Sequence, residues 1–167
     1  MQSEIIIAEA IESDFDEIAK IYSHYVENTT VSLEELPPSA AELVLRWRGV
    51  KEKSLPYLVA KSGGKVVGYA YAVPYRTRSA YRFTVEESVY VSQNFQGQGV
   101  GRRLLNELIR ICQNAGYRQM LAVIAGHDNT ASINFHESLG FEKAGVLRNF
   151  GFKFGGWVDT ILMQKSL

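Results

Sequence analysis

Glycine stands at alternate positions in Gln96-Gly97-Gln98-Gly99-Val100-Gly101, between a run that reads as a strand and one that reads as a helix, and few folds accept that order. Thr84–Val91 is rich in β-branched residues and predicts the strand. Residues 100–115 predict the helix, because Leu104, Leu105, Leu108, Ile109, Ile111 and Cys112 gather on one broad apolar face before Gly116 stops it. Gln119–Ala125 follows as a buried strand. Strand, helix and strand in this order make a βαβ unit, which calls for parallel strands and a right-handed crossover.

The remaining residues set this unit in a larger sheet. Residues 4–8 predict a strand, and Ser13 is placed to cap a first helix that carries Ile18, Ile21, Tyr22, Tyr25 and Val26 at helical spacing. Residues 28–36 read as a loop. After Pro37-Pro38, Ser39 and Glu42 have the spacing of a capping box for a second helix with the stripe Leu43, Trp47 and Val50. Residues 57–60 and 65–73 predict a hairpin turning at Ser62-Gly63-Gly64, with Pro74 ending its second arm. Beyond the βαβ unit come a short helix over 131–139, stopped by Gly140, and extended segments at 141–147 and 157–164. The order β-α-α-β-β-β-α-β-α-β-β is an α/β layout with a mixed sheet. At 167 residues, with no repeat and no low-complexity linker, a single domain spanning 1–167 is expected.

Charge and cysteine content narrow the function. Lysine plus arginine number 18 and aspartate plus glutamate 18, so the chain has no net basic field for gripping nucleic acid or an anionic membrane. The longest apolar run, residues 120–125, is far short of the ~20 residues a membrane span needs. The start Met1-Gln2-Ser3-Glu4 lacks the basic segment of a secretory signal. Cys112 is the only cysteine, which excludes an intrachain disulfide and a cysteine zinc cage, and no metal site is expected. The expectation is a cytoplasmic protein.

The glycine loop points to chemistry. Glycines leave backbone N–H groups unshielded, and the helix that follows directs its positive end at them, a combination that cradles phosphate. A dinucleotide fingerprint would need a third glycine where Arg102 stands and an acidic residue near 119–121; a P-loop would need lysine and serine or threonine after the last glycine. Neither pattern is met. Arg102 and Arg103 occupy the first helical turn, where the dipole disfavours cations unless an anion is bound. On these residues alone, a glycine-rich turn without a ligand stays open as the alternative.

Gln96, Gly99 and Gly101 fill the pattern Gln/Arg-x-x-Gly-x-Gly/Ala, and Asn129-x-x-Ser132-x-x-Phe135-His136-Glu137-x-Leu139-Gly140-Phe141 follows about 30 residues on. In this the chain resembles the GNAT acetyltransferase superfamily. A narrower likeness rests on Tyr71 to Tyr81, on Thr84-Val85-Glu86-Glu87-Ser88-Val89-Tyr90-Val91 and on Gly151 to Asp159, which look like the phosphinothricin and methionine sulfoximine/sulfone acetyltransferases. The resemblance implies a mixed, mostly antiparallel sheet flanked by helices, with the βαβ unit holding acetyl-CoA as co-substrate. It implies N-acetylation of a small amino-acid analogue, a detoxifying role and a homodimer. For the cofactor it implies Val89, Tyr90 and Val91 along the pantetheine arm, Gln96, Gly97, Gln98, Gly99, Val100, Gly101 and Arg102 around the phosphates, and Asn129 and Ser132 in the second segment. For the substrate it implies Arg76, Arg78 and Tyr81, with Leu33 where relatives commonly carry an aromatic residue.

Acyl transfer needs a neutral amine, yet an α-amino group with a pKa of about 7.7–8.0 is largely protonated at pH 7. Glu86 matches the glutamate assigned as base in the narrower family, and Glu87, on the opposite face of the strand, is the better reading for a solvated carboxylate. His136 stands where the superfamily often has a tyrosine that serves the departing thiolate; a helix-surface histidine is the plain alternative. His24 and His127 have no comparable context. Cys112 on an apolar helix face reads as packing, which favours direct attack over an acyl-cysteine route. Trp157, Phe152 and Phe154 read as core or dimer contacts. A protein N-terminal or polyamine acetyltransferase, or a non-catalytic acyl-CoA-binding module, remain the competing readings.

Overall fold

The computed structural model describes residues 4–126 and 128–167; residues 1–3, part of the start discussed above, and His127 lie outside the described residues. Seven strands form one sheet in the order β1-β2-β3-β4-β5-β7-β6. They are β1 Ile5–Glu9, β2 Tyr57–Ser62, β3 Lys65–Pro74, β4 Thr84–Val91, β5 Gln119–Ala125, β6 Glu142–Lys153 and β7 Gly156–Ser166. α1 Phe15–Asn28 and α2 Ala40–Glu52 follow β1, α3 Val100–Asn114 joins β4 to β5, and α4 Thr130–Glu137 follows β5. Among the described residues only β4 and β5 pair in parallel; every other neighbouring pair is antiparallel. The mixed α/β class and the parallel βαβ unit are those the residue pattern predicts.

Two local expectations change. Glu12–Asp14 form a short 3-10 turn, so Asp14 rather than Ser13 stands at the start of α1. The reason is electrostatic: its carboxylate accepts the Ile11 N–H at 3.0 Å and pairs with Lys61 at 2.7 Å from the neighbouring strand. β6 and β7 are longer than the apolar pattern suggests, because β6 is exposed over most of its length and has no buried face to write a period of two into the sequence. Ser39 does cap α2, its hydroxyl accepting the Glu42 N–H at 3.1 Å.

The sheet carries helices on both faces. At Gly68 of β3, an added Cβ would meet Leu104 and Val100 of α3 at 3.1 and 3.2 Å. The next residue, Tyr69, stacks with Tyr57 and Tyr90, whose rings touch Phe15 and Tyr22 of α1. Successive strand residues face opposite sides, so α3 and α1 cover opposite faces of the same strand. Leu104, Leu105, Leu108 and Cys112 are fully buried and seat α3 on the sheet. No described helix is long and apolar enough to cross a membrane.

The β6–β7 hairpin reaches back to the loop between α1 and α2. Lys153, buried at 3% exposure, donates from Nζ to the carbonyls of Thr29 at 2.8 Å and Ser32 at 2.7 Å. Burial pulls the pKa of this lysine down, against the opposing charges of Glu35 and Glu34. Gly151 lies under Leu33 so closely that a Cβ there would stand 2.8 Å from Leu33 Cδ1. Phe150, Phe152, Phe154 and Trp157 of the same hairpin are more than half exposed, so they are not core residues of this chain.

Candidate functional site

β4 and β5 are paired only from Thr84–Gln119 to Glu87–Ala122. Beyond that point β4 stays with β3 as far as Val91, and β5 stays with β7 as far as Ala125, so the two parallel strands part. A cleft of about 680 Å³ occupies the opening, with Val89 and Val91 on one side and Val123 and Ala125 on the other. The hydrogen-bond phase tells which backbone groups face it. Ser92 N–H donates to Val67 C=O and Tyr75 N–H to Thr84 C=O, so the even-numbered residues of β4 exchange bonds with β3. The N–H and C=O groups of Val89 and Val91 therefore point toward the departed strand, while those of Tyr90 are engaged by Tyr69.

The glycine loop closes one end of the cleft. Gly97 and Gly99 adopt φ of 71° and 79°, a left-handed conformation that other residues enter only with strain. Arg103 N–H makes the first bond of α3, to Gly99 C=O, which leaves the N–H groups of Val100, Gly101 and Arg102 ahead of the intrahelical ladder. An added Cβ at Gly99 meets no protein atom within 4 Å, so the space above the loop is open. Donors ahead of the helical ladder, a positive helix end and room above the loop fit a phosphate group. Gln96 holds the loop in place: its Nε2 donates to Tyr25 Oη at 2.9 Å, and that hydroxyl donates to Val91 C=O at 2.5 Å. Gln98 is tied to the loop itself through Asn94 C=O.

The two arginines separate. Arg102 lines the cleft and donates to Ser138 Oγ of the loop after α4 at 2.6 Å. Arg103 does not reach the cleft; it lines a groove beside β1 with Asn106, Glu107 and Arg110. Neighbouring helical residues point about 100° apart, so the pair cannot share one target. Asn129 and Ser132 both line the cleft, and Asn129 Oδ1 caps α4 by accepting the Ser132 N–H at 3.3 Å.

His136 corrects the surface reading, and Glu87 with it. Both are buried, and His136 Nε2 lies 2.6 Å from Glu87 Oε1. The other ring nitrogen, Nδ1, is 2.7 Å from the Ser132 carbonyl, an acceptor only, so Nδ1 carries a proton. Burial pulls the histidine pKa down, but the Glu87 carboxylate and the Ser132 carbonyl outweigh it, and the net shift is upward. Phe135 and Phe141 set their rings edge-on to the imidazole at 5.1 Å each and lock its plane. Strand alternation alone favours Glu87 as the solvated member of the Glu86-Glu87 pair. It is the buried one, because it lies on the face of β4 that α3 packs against, where His136 of α4 also meets it.

Glu86 lies on the other face of β4, partly buried. Burial foremost, then the charge of Glu87, hold its pKa above the ordinary carboxylate value, while Arg76 acts in the opposite direction. Glu86, Leu33, Arg76, Arg78 and Tyr81 do not line the cleft. Arg76 lies over the Tyr75 ring, and Tyr81 meets that ring edge-on, so these residues form a separate exposed group beyond the end of β3. Among the cleft residues absent from the sequence reading of the site are Tyr25 and Glu87, whose polar groups shape it. Tyr25 sits in the apolar stripe of α1 with no local mark of its hydroxyl's role, and the partner of Glu87 is 49 residues away.

The chain matches the acetyltransferase (GNAT) domain family over residues 7–162. It is 50% identical to the phosphinothricin N-acetyltransferase of Alcaligenes faecalis, over 93% of this chain and 79% of that protein. It is 35% identical to the L-methionine sulfoximine/L-methionine sulfone acetyltransferase of Salmonella typhimurium, over 95% and 92% of the two chains. Among solved structures, a GNAT superfamily phosphinothricin acetyltransferase from Sinorhizobium meliloti in complex with AcCoA superposes with a TM-score of 0.93 at 44% identity, covering 98% of this chain and 88% of that one.

Proposed function

The chain belongs to the GNAT acetyltransferase family, of the phosphinothricin N-acetyltransferase type, and from that premise we propose that it transfers an acetyl group from acetyl-CoA to the α-amino group of a small amino-acid analogue. The observation that carries this reading is the parting of β4 from β5 just past Glu87, which opens the sheet between the glycine loop on one face and Glu86 on the other. Acetyl-CoA supplies an acyl group activated as a thioester. The N–H groups of Val100, Gly101 and Arg102 would hold its phosphates, with Gln96, Gly97, Gln98 and Gly99 shaping the loop and Asn129 and Ser132 walling the far side. The Val89 and Val91 N–H groups are free to stabilise the negative charge that develops on the carbonyl oxygen.

From the opposite face, Glu86 takes the proton of the substrate ammonium. Its raised pKa makes it a stronger base than an ordinary carboxylate, which suits an amine acceptor near neutrality. Arg76, Arg78, Tyr81 and Leu33 are the groups we assign to the amino acid; the arginine forks match a carboxylate, phosphinate or sulfone. The proton His136 shares with Glu87 is the one we assign to the departing sulfur, and its delivery breaks the bond to Glu87. Attack is direct. Cys112 is buried and its thiol pKa is pushed up to about 12, so no thiolate is at hand for an acyl-enzyme.

Thiol release from acetyl-CoA is expected with phosphinothricin, methionine sulfone and methionine sulfoximine, and weakly or not at all with a peptide N-terminus or a polyamine. No turnover with any of the three analogues, or faster turnover of the peptide or polyamine, overturns the substrate class. We also propose a cytoplasmic homodimer that covers Phe150, Phe152, Phe154 and Trp157, since apolar surface clustered on one hairpin marks an interface. Sedimentation equilibrium should return twice the 18.7 kDa chain mass; a monomer at micromolar concentration contradicts the dimer.

A further inference from the structure

Glu87 carries an atom with nothing to bond. Its Oε1 is held by His136 Nε2, while Oε2 is buried and has no partner among the described residues. The pair shares one proton, because Nδ1 of the ring already donates to Ser132 C=O. If that proton rests on Nε2, Glu87 is a carboxylate; if it rests on Oε1, Glu87 is a neutral acid. In either arrangement Oε2 remains an acceptor, and a buried acceptor left unmatched is a destabilising feature unless a ligand supplies the donor.

The position of this oxygen narrows the donor. Glu87 lines the cleft at the point where β4 and β5 part. Four strand residues, about 13 Å, separate it from Val91 at the glycine-loop end. Glu86, which faces the amine side, is on the opposite face of the strand, so the ligand that passes Glu87 is the cofactor arm. That arm carries two amide groups between its phosphates and its sulfur, and the amide nearer the sulfur is two methylene groups from it.

We propose that Glu87, held by His136, is a cofactor-binding residue whose Oε2 accepts a hydrogen bond from the amide N–H of the CoA arm nearest the thiol. This rests on the reading that the cleft holds acetyl-CoA. The side chain thereby fixes how deep the arm enters the notch, and with it where the acyl carbon lies relative to Glu86. The ring of His136 keeps the carboxylate in one rotamer, and Phe135 and Phe141 keep the ring in one plane.

Two substitutions and two probes test it by calorimetry. Glu87→Gln can turn its NH₂ toward His136 Nε2 and present its carbonyl oxygen to the cleft, so CoA should bind within about threefold of wild type. Glu87→Leu removes the acceptor, and CoA should bind about tenfold more weakly. Adenosine 3′,5′-bisphosphate has CoA-like phosphates but no arm, and Glu87→Leu should bind it as the wild type does. Equal CoA affinity in Glu87→Leu and wild type overturns the proposal, as does an equal loss for both probes. A wild-type protein that binds neither probe overturns the acetyl-CoA reading itself, and the two failures are thus distinct. Should circular dichroism find Glu87→Leu unfolded, Glu87→Met takes its place, being apolar and adaptable in shape.

Discussion

Turnover of small amino acids is expected to fall about 10²–10⁴-fold in Glu86→Gln, while the affinity for CoA stays at the wild-type value. Glutamine keeps the shape of the side chain and its place on β4, but it cannot take a proton. The cleft is untouched, because Glu86 does not line it. The pH dependence carries a second signature. Burial and the neighbouring Glu87 raise the Glu86 pKa, so in the wild type turnover should climb with pH through a point above the usual carboxylate range.

The same shift has a stability consequence of opposite sign. A carboxyl group whose pKa is higher in the fold than in the unfolded chain contributes stability below its unfolded pKa, and loses it as pH rises through the folded pKa. At pH 7 the ionised Glu86 is therefore a burden on the fold, and Glu86→Gln should melt above the wild type there. In acid, below the ordinary carboxylate pKa, the two should melt alike. A variant that is inactive and also less stable at pH 7 would point to structural damage, and one with unchanged turnover would remove Glu86 from the chemistry.

Gly99→Val should weaken CoA binding by about ten- to a hundredfold, the equivalent of one charge-assisted hydrogen bond to the phosphate cradle. Two effects act together. A β-branched residue at φ 79° strains the backbone by about 1–2 kcal/mol and turns the loop N–H groups away, and its side chain fills the open space above them. Gly64 provides the control. It has φ of 82°, equally open surroundings and a place in the β2–β3 turn, far along the chain from the loop. Gly64→Val should lower the melting temperature about as much as Gly99→Val yet leave CoA affinity unchanged. Calorimetry and thermal unfolding on the two variants separate backbone strain from loss of the ligand site; equal CoA affinity in both would refute the phosphate cradle.

How much the sequence makes legible differs by element. The βαβ unit was readable to within a residue, since α3 announces itself by a wide leucine face and β5 by an unbroken apolar run, both local properties of the chain. α1 was readable as a helix but not at its start, where Asp14 answers to Lys61 on a strand formed some fifty residues later. The glycine loop was readable as a turn of positive φ leading into a helix N-terminus, because backbone freedom and the helix start are consequences of local sequence. Its anchor was not: Tyr25, Gln96 and Val91 are joined by hydrogen bonds spanning 66 and 71 residues. Arg102 and Arg103, both in the first turn of α3, are divided by helical rotation: Arg102 lines the cleft and Arg103 does not.

By itself, then, the order of residues determined the α/β class, the parallel unit at its centre and the glycine-rich helix start, because hydrophobic period and backbone freedom act over a few residues at a time. Only the tertiary structure decided that β4 and β5 part after Glu87, that of the two adjacent carboxylates Glu87 is the more buried, and that Glu87 rather than Glu86 meets His136. Burial and pairing are properties of what packs against a side chain, and for Glu87 that neighbour comes from a helix 49 residues away.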